Sequence, residues 1–454
     1  MMADREQVDI GILGDRSKAK LVVSAAKEFG YSTLEFENLD EVFESTIEPS
    51  LIFMIEDPSG PYGIDEVVQS GRQQFPQAVP ILVVEKELTK EKAAFLERQG
   101  VQLTLLRHEV ETSKIGFLIS QILKANYIPL KSVDLVPDFV LPFTVYHLLP
   151  QRKKFLKLVR TGDTITSDRM TRLLENPEFY IDRAEIMGYK KYIEETADQS
   201  MKGLAKRCRA NFVALQSEFA SLALQVTDES SRMSFHEGQE ILTRCQKLCE
   251  DLLMNLAEFP KAWDIVNSSS IGEFGSLERA PAIAAFSGMF ALRADMKRVD
   301  EIMIASLIVD MGILTTPVAV SKALRLSGPM KLSSEDEQSY HRVPSKSIEL
   351  ALGRKLSIPE KLRNIIVAIY ENADGTGFPA KHNDFKIPIE SQLIRFAKEF
   401  DSRIQVRLGQ AKREPLQVMN EVLEAPELKG VFSAAFTTLI REKVLAGDLS
   451  ELAN

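Results

Sequence analysis

Cysteine and long apolar runs are both scarce in this chain, and each scarcity removes a class of protein. Its 454 residues hold three cysteines, Cys208, Cys245 and Cys249. Three thiols are too few for a disulfide scaffold and fit a reducing compartment, the cytoplasm. Cys245 and Cys249 stand four apart on a predicted helix and share a face. Without a third Cys or a nearby His they make a poor zinc site and read as buried small hydrophobes. Nowhere do about 18 apolar residues follow one another, so no membrane-spanning helix is expected. The charged start Met1-Met2-Ala3-Asp4-Arg5-Glu6 lacks signal-peptide form. Basic residues are in deficit, and the formal net charge of -9 argues against a general nucleic-acid or anionic-membrane binder.

Hydrophobic residues make up 44% and charged residues 27% of the chain, which are ordinary globular proportions. The length suggests three or so domains. The expected architecture is mixed: an N-terminal α/β domain over residues 1–125, a small α+β module over 126–195, a helical hairpin or stalk over 196–264, and a mainly α domain over 265–454.

The first segment alternates short apolar strands with amphipathic helices. Val8–Leu13, Ser50–Ile55, Pro80–Val84 and Leu103–Leu106 read as strands, with helices to about Phe29 and from about Thr112 to Leu123. Continuous apolar strands alternating with helices imply a doubly wound parallel sheet covered on both faces. The order and spacing resemble the receiver domain of two-component response regulators. That resemblance implies an acidic pair at Gly14 and Asp15, a phosphoacceptor aspartate at Ile55, a hydroxyl at Glu85 and a lysine at Arg107. The nucleophile is thus missing, and a glutamate stands where phosphate would be contacted. A one-residue slip would offer Glu56 or Asp57, but on the opposite face of the strand. The domain reads as a receiver-like unit without receiver chemistry.

Residues 126–140, with Pro129 and Pro137, read as a linker. Phe143–Tyr146 and Phe155–Val159 read as strands, Thr161-Gly162-Asp163 as a turn, and Ser167 as the cap of a short helix from Asp168. Further on, Leu204, Cys208, Phe212, Leu215, Phe219, Leu222 and Val226 form one helical stripe. Leu242, Cys245, Leu248, Cys249, Leu252, Leu256 and Phe259 form another. Two arrangements suit them: a dimerising coiled coil, or an antiparallel hairpin packed on itself and on the C-terminal domain. Phe and Cys at the seam favour the hairpin.

Two C-terminal segments carry the most specific signal: Ala305-Ser306-Leu307-Ile308-Val309-Asp310-Met311-Gly312-Ile313-Leu314-Thr315-Thr316-Pro317 and Ile369-Tyr370-Glu371-Asn372-Ala373-Asp374-Gly375-Thr376-Gly377-Phe378-Pro379. With Ile387-Pro388, Phe400-Asp401 and Arg407 behind them, they resemble the HD-GYP domain of cyclic-di-GMP phosphodiesterases over residues 265–440. The resemblance implies a helical bundle whose His and Asp side chains hold two or three iron or manganese ions, which activate water for attack on a phosphodiester. Carried onto this chain, the ligand and lysine positions are Val309, Asp310, Ile313, Val343, Ile369, Tyr370 and Lys398, and the earliest His falls near Leu277 or Glu278. Asp310 alone keeps a donor, and one carboxylate cannot hold a catalytic divalent ion.

The five histidines are His108, His147, His236, His341 and His382. His341, two residues before Val343, is turned by about 200° on a helix. His382 follows the Gly-Phe-Pro turn.

The expected replacement is a buried Asp310–Lys398 ion pair in a pocket otherwise filled by packing. The alternative sends Lys398 to solvent and leaves Asp310 to cap a backbone amide. The loop Asp374, Gly375, Thr376, Gly377, Phe378 and Pro379 either covers the bundle end or offers an exposed aromatic to a partner, which the resemblance makes a diguanylate cyclase (GGDEF) domain. The expected function is that of a non-hydrolysing, cofactor-free, cytoplasmic bacterial signalling protein acting through protein contacts, possible homodimers included. The alternatives are a cyclic-di-GMP receptor using Arg407 and a residual phosphodiesterase.

Overall fold

The computed structural model describes residues 7–445 except 15, 29–30, 59, 124–126, 150–153, 174–177, 228–234, 259–261, 270–276, 319, 322–332 and 406–412. Asp15, Phe259 and Arg407 therefore lie outside the described residues, as does the side chain of His236. The chain divides into two compact units. The first is Met1–Lys124 with Leu224–Ser234 and Ile313–Ala323; the second is Ala125–Ala223, Phe235–Gly312 and Leu324–Asn454. No described helix is long and apolar enough to cross a membrane.

In the first unit, β1 (Gln7–Leu13), β2 (Thr33–Phe36), β3 (Glu48–Ile55), β4 (Val79–Val84) and β5 (Leu103–Leu106) form a parallel sheet in the order β2-β1-β3-β4-β5. This is a doubly wound α/β order. Alternate strand residues feed two cores. Ile10, Ile12, Leu51, Phe53, Ile81 and Val83 pack with α1 (Arg16–Glu28) and α5 (Lys114–Leu123) on one face. Leu13, Ile52, Met54, Leu82 and Val84 pack with α2 (Leu39–Glu44), α3 (Ile64–Gln74) and α4 (Lys90–Arg98) on the other. That double burial explains why β3 and β4 read as unbroken apolar runs. The strand β2 escaped the sequence because it is a four-residue edge with only Phe36 buried. At the start of α5, the Ser113 amide donates to the Thr316 carbonyl at 2.9 Å, and the buried Lys114 ammonium donates to the Thr227 carbonyl at 2.8 Å. These bonds lie within the first unit.

The second unit opens on an antiparallel sheet of β6 (Tyr127–Lys131), β7 (Val145–Leu149), β8 (Lys154–Val159) and β9 (Glu178–Asp182), ordered β6-β9-β7-β8. The expected linker thus contains a strand. Pro129 is tolerated because β6 is an edge. The short helix α6 (Ser167–Leu173) begins one residue before the expected start, and the Thr166 hydroxyl, not Ser167, accepts from the Arg169 amide at 3.4 Å. Ile128, Phe179, Ile181, Val145 and Val159 make the inner face. The fully buried Asp134 accepts from Arg209 Nε at 2.8 Å and Tyr189 Oη at 2.9 Å, tying α7 (Ile186–Thr196) and α8 (Met201–Thr227) together.

Every described residue of the two helical stripes is buried, on α8 and on α9 (Phe235–Glu258). The helix α9 packs against α11 (Ala280–Arg293) and α12 (Val299–Ile308), so its apolar side is used within the unit. Cys208, Cys245 and Cys249 are buried free thiols. Burial pushes Cys208 up to about 12 and raises the other two as well.

Candidate functional site

The site grows from the end of α12. Ile302 to Ile308 are all buried, since this helix is apolar all round and sits at the centre of the bundle. Val309 and Asp310 leave it in a tight turn fixed by Ser347 on α14 (Val343–Gly353), α13 being Ser334–His341. The Ser347 hydroxyl bonds the Val309 carbonyl at 2.8 Å and accepts from the Gly312 amide at 2.7 Å. Asp310 is thereby held with its side chain fully buried.

A carboxylate in that position needs a partner, because burying it uncompensated costs several kcal/mol. Two groups meet it. Lys398, on α16 (Ile389–Ile404; α15 is Glu360–Val367), makes a salt bridge to Asp310 Oδ2. Tyr370 Oη donates to Asp310 Oδ1 at 3.1 Å and accepts from Lys398 Nζ at 2.6 Å. The tyrosine closes the triangle because a phenol both donates and accepts. Burial pushes the Lys398 ammonium down against the pull of Asp310. Burial, then Asp310, holds the Tyr370 phenol well above its usual range. Val309, Val343 and Ile369 are buried, and Ile313, buried too, belongs to the first unit.

The cationic side of α16 is balanced locally. Glu399 pairs with Arg395 at 3.0 Å and Arg403 at 2.7 Å. The Arg395 guanidinium and the Lys398 ammonium each lie 4.9 Å from the Tyr370 ring centre. Burial opposes ionisation of Glu399, but Arg395, Arg403 and Lys398 outweigh it and hold the carboxyl below its ordinary 4.5. A depressed acid stabilises the fold above its unfolded pKa and loses that contribution as pH falls through the folded value. Glu399→Gln should therefore flatten the acid limb of stability below pH 4.5 and leave the limb above pH 6 (about two units higher) parallel to wild type. Urea midpoints across that range check it.

His341 does not reach the ion pair; it stacks on Phe378 at 3.9 Å, and Phe378 stacks on Tyr370 at 5.2 Å. Phe378 is consequently half-buried, nearer to the covering arrangement than to the exposed aromatic. The turn itself is tightly built. Gly375 sits at φ +79°, and a Cβ at Gly377 would lie 2.2 Å from the Asn372 amide nitrogen. Asp374 accepts from the Thr376 amide at 2.9 Å and from its hydroxyl at 2.6 Å, while Pro379 is exposed.

Two sets of contacts had no sequence signal. The buried Glu371 accepts from the Ala380 and His382 amides, and Arg279 makes a bidentate pair with Asp401. Asp401 was visible only as part of a motif; its partner lies 122 residues away.

Among the described residues no group of three or more His, Cys, Asp or Glu stands close enough to hold a metal ion. The donor set around Asp310, a single carboxylate with an ammonium and a phenol against it, does not fit a divalent cation.

In the first unit, β3 ends at Ile55, opposite Val83. Ile55 is buried, Glu56 accepts from the Glu85 amide at 2.9 Å, and Asp57 is exposed. Arg107 pairs with Glu85 at 3.1 Å.

No curated protein matches the chain. A solved structure of Bd1817, described as a HDG"Y"P protein from Bdellovibrio bacteriovorus, is similar over 71% of this chain and 100% of its own, at 17% identity and a TM-score of 0.47. The helical bundle that carries Asp310, Tyr370 and Lys398 lies within residues 252–425, which match the family described as HD domain.

Proposed function

We propose that the chain is a non-hydrolysing signalling protein of the HD-GYP type, working through protein contacts in a bacterial cyclic-di-GMP or two-component pathway. The observation that carries this reading is the buried Asp310–Tyr370–Lys398 cluster. A lysine ammonium stands against the one surviving carboxylate, and its charge repels a cation that would need the same oxygens. Hydrolysis of a phosphodiester by this class of domain needs bound metal to generate the nucleophile and neutralise the leaving charge. The N-terminal unit belongs to the same reading as a receiver-like domain without a phosphoacceptor, with Ile55 at the end of β3. Its place is in the cytoplasm, where three unpaired thiols are stable.

A partner of the diguanylate cyclase (GGDEF) class fits this role. Binding of cyclic-di-GMP without cleavage is the competing outcome, and calorimetric titration of the full chain separates the two. The proposed reading expects no binding heat from low through high micromolar cyclic-di-GMP, with or without manganese. A saturable isotherm would replace it with a receptor.

A further inference from the structure

A cavity of about 230 Å³ opens in the first unit, between the end of β3 and the start of α3. Its deepest walls are the buried Ile55 of β3 and Leu82 of β4. Ile64 and Val67 of α3 pack on the core of this face yet stay half-buried, and they line the cavity too. The Tyr62 side chain, 36% exposed, stands on its open side. The site lies at the carboxyl ends of parallel strands, where ligands of open α/β sheets bind. The strand β3 also flanks the point where the strand order reverses. An apolar space of about 150 Å³ already accepts benzene, so the room here suits a single ring or a short chain. Larger ligands such as nucleotides take roughly 300–1,000 Å³ and are too big for it.

Charge along the cavity has one sign. Glu56 and Asp57 line it, and the described lining residues include no Lys, Arg or His. Glu56 is fixed in place, since it accepts from the Glu85 amide at 2.9 Å. Cations on neighbouring elements are engaged: Lys92 pairs with Asp65, and Arg107 with Glu85. The N-terminus of α3 contributes about half a positive charge, which Glu66 in its first turn offsets. Two full carboxylates therefore set the potential, and they repel a phosphate or carboxylate. A cation is attracted, and the Tyr62 ring offers it a second favourable surface. Solvent-facing charges act weakly one by one, so the apolar walls supply most of the affinity and the carboxylates the selectivity.

We propose that this cavity binds a small organic cation, an ammonium carried on a single ring or a short alkyl chain. The ring or chain fills the space between Val67 and Leu82, and the ammonium faces Glu56 and Asp57. The first unit thereby has an input that needs no phosphoacceptor. This assignment stands apart from the partner-binding reading, which rests on the second unit.

The test uses the full chain and three probes of similar size, benzylamine, benzyl alcohol and benzoate, in ligand-observed NMR titrations. Benzylamine should bind saturably, at about millimolar affinity for so small a ligand. Benzyl alcohol should bind about tenfold more weakly, and benzoate not at all. Added salt should narrow the gap between the amine and the alcohol. Val67→Phe fills the cavity and should abolish binding of both. Glu56→Gln/Asp57→Asn keeps the shape, since a glutamine still accepts the Glu85 amide, and should reduce benzylamine to the affinity of the alcohol. Circular dichroism and urea midpoints check that each variant is folded, and the charge pair decides the matter if the phenylalanine variant is not. Benzylamine binding that a folded Val67→Phe chain retains would overturn the site. Benzoate binding as tight as benzylamine, or amine binding that survives loss of both carboxylates undiminished, would overturn the cation assignment. No saturable binding of benzylamine to the wild-type chain would overturn the proposal and leave the partner-binding reading standing.

Discussion

Lys398→Met is expected to destabilise the second unit by about 3–5 kcal/mol, the usual cost of removing one partner from a buried ion pair. Methionine matches the length of the lysine stem, so the lost packing is small and the effect isolates the charge. Among the described residues, the fully buried Asp310 would keep only the Tyr370 phenol as a partner. The converse change shows what the cluster is for. Asp310→Leu/Tyr370→Phe/Lys398→Met removes all three polar groups together and should recover most of the loss, because replacing a whole buried ionic group by apolar side chains is often neutral. Trp263 is the single tryptophan of the chain and packs against Phe286, Phe290 and Phe400, so its fluorescence during urea unfolding reports this bundle directly. Equal stability of wild type and Lys398→Met would mean that the ammonium contributes nothing to holding Asp310.

Arg279→Met should cost as much, again about 3–5 kcal/mol, and for the same reason. Arg279 and Asp401 are 7% and 4% exposed, and the guanidinium meets both carboxylate oxygens. Among the described residues Gln405 alone would remain, donating to Asp401 Oδ2 at 3.0 Å. Arg279→Lys should be nearly as harmful, since a point-like ammonium cannot reproduce the two-pronged geometry. Asp401→Asn gives the complementary readout. If the pair holds the start of α11 against α16, both variants should shift the Trp263 transition, and their combination should cost less than the sum.

Much of this organisation was written in the residues. Doubly buried strands reveal themselves as apolar runs, which is why β1, β3, β4 and β5 were legible within a residue or two of their observed ends. The strands β2 and β6 were not, for two reasons. Short edge strands carry little apolar signal, as β2 shows with one buried residue in four. Proline in β6 reads as a break unless the strand is known to be an edge, and edges are a property of the assembled sheet. The long helices were legible because their stripes repeat for about four turns or more, enough for the helical period to stand out.

At the site, the juxtaposition of Asp310 and Lys398 followed from matching motif positions, which fixes where side chains converge. The bridging phenol of Tyr370 and the stacking of Phe378 between His341 and Tyr370 did not. The phenol's contacts join residues 28 and 60 apart, and the stack brings His341 to Phe378 from the far side of another helix. No local pattern marks such contacts. The same holds for the cavity between β3 and α3, which exists only once both elements and β4 are assembled.

The central claim is that an ammonium and a phenol have replaced the cations, and with them the hydrolytic chemistry. Metal content and turnover measured on one sample test it most directly. The full chain is produced in medium supplemented with iron and manganese, desalted, assayed for bound metal by plasma mass spectrometry, and incubated with cyclic-di-GMP in manganese buffer. The account predicts no stoichiometric iron, manganese or zinc and no linear or monomeric nucleotide product. Retention of one or more of these ions per chain, with cleavage that disappears on chelation, would contradict it.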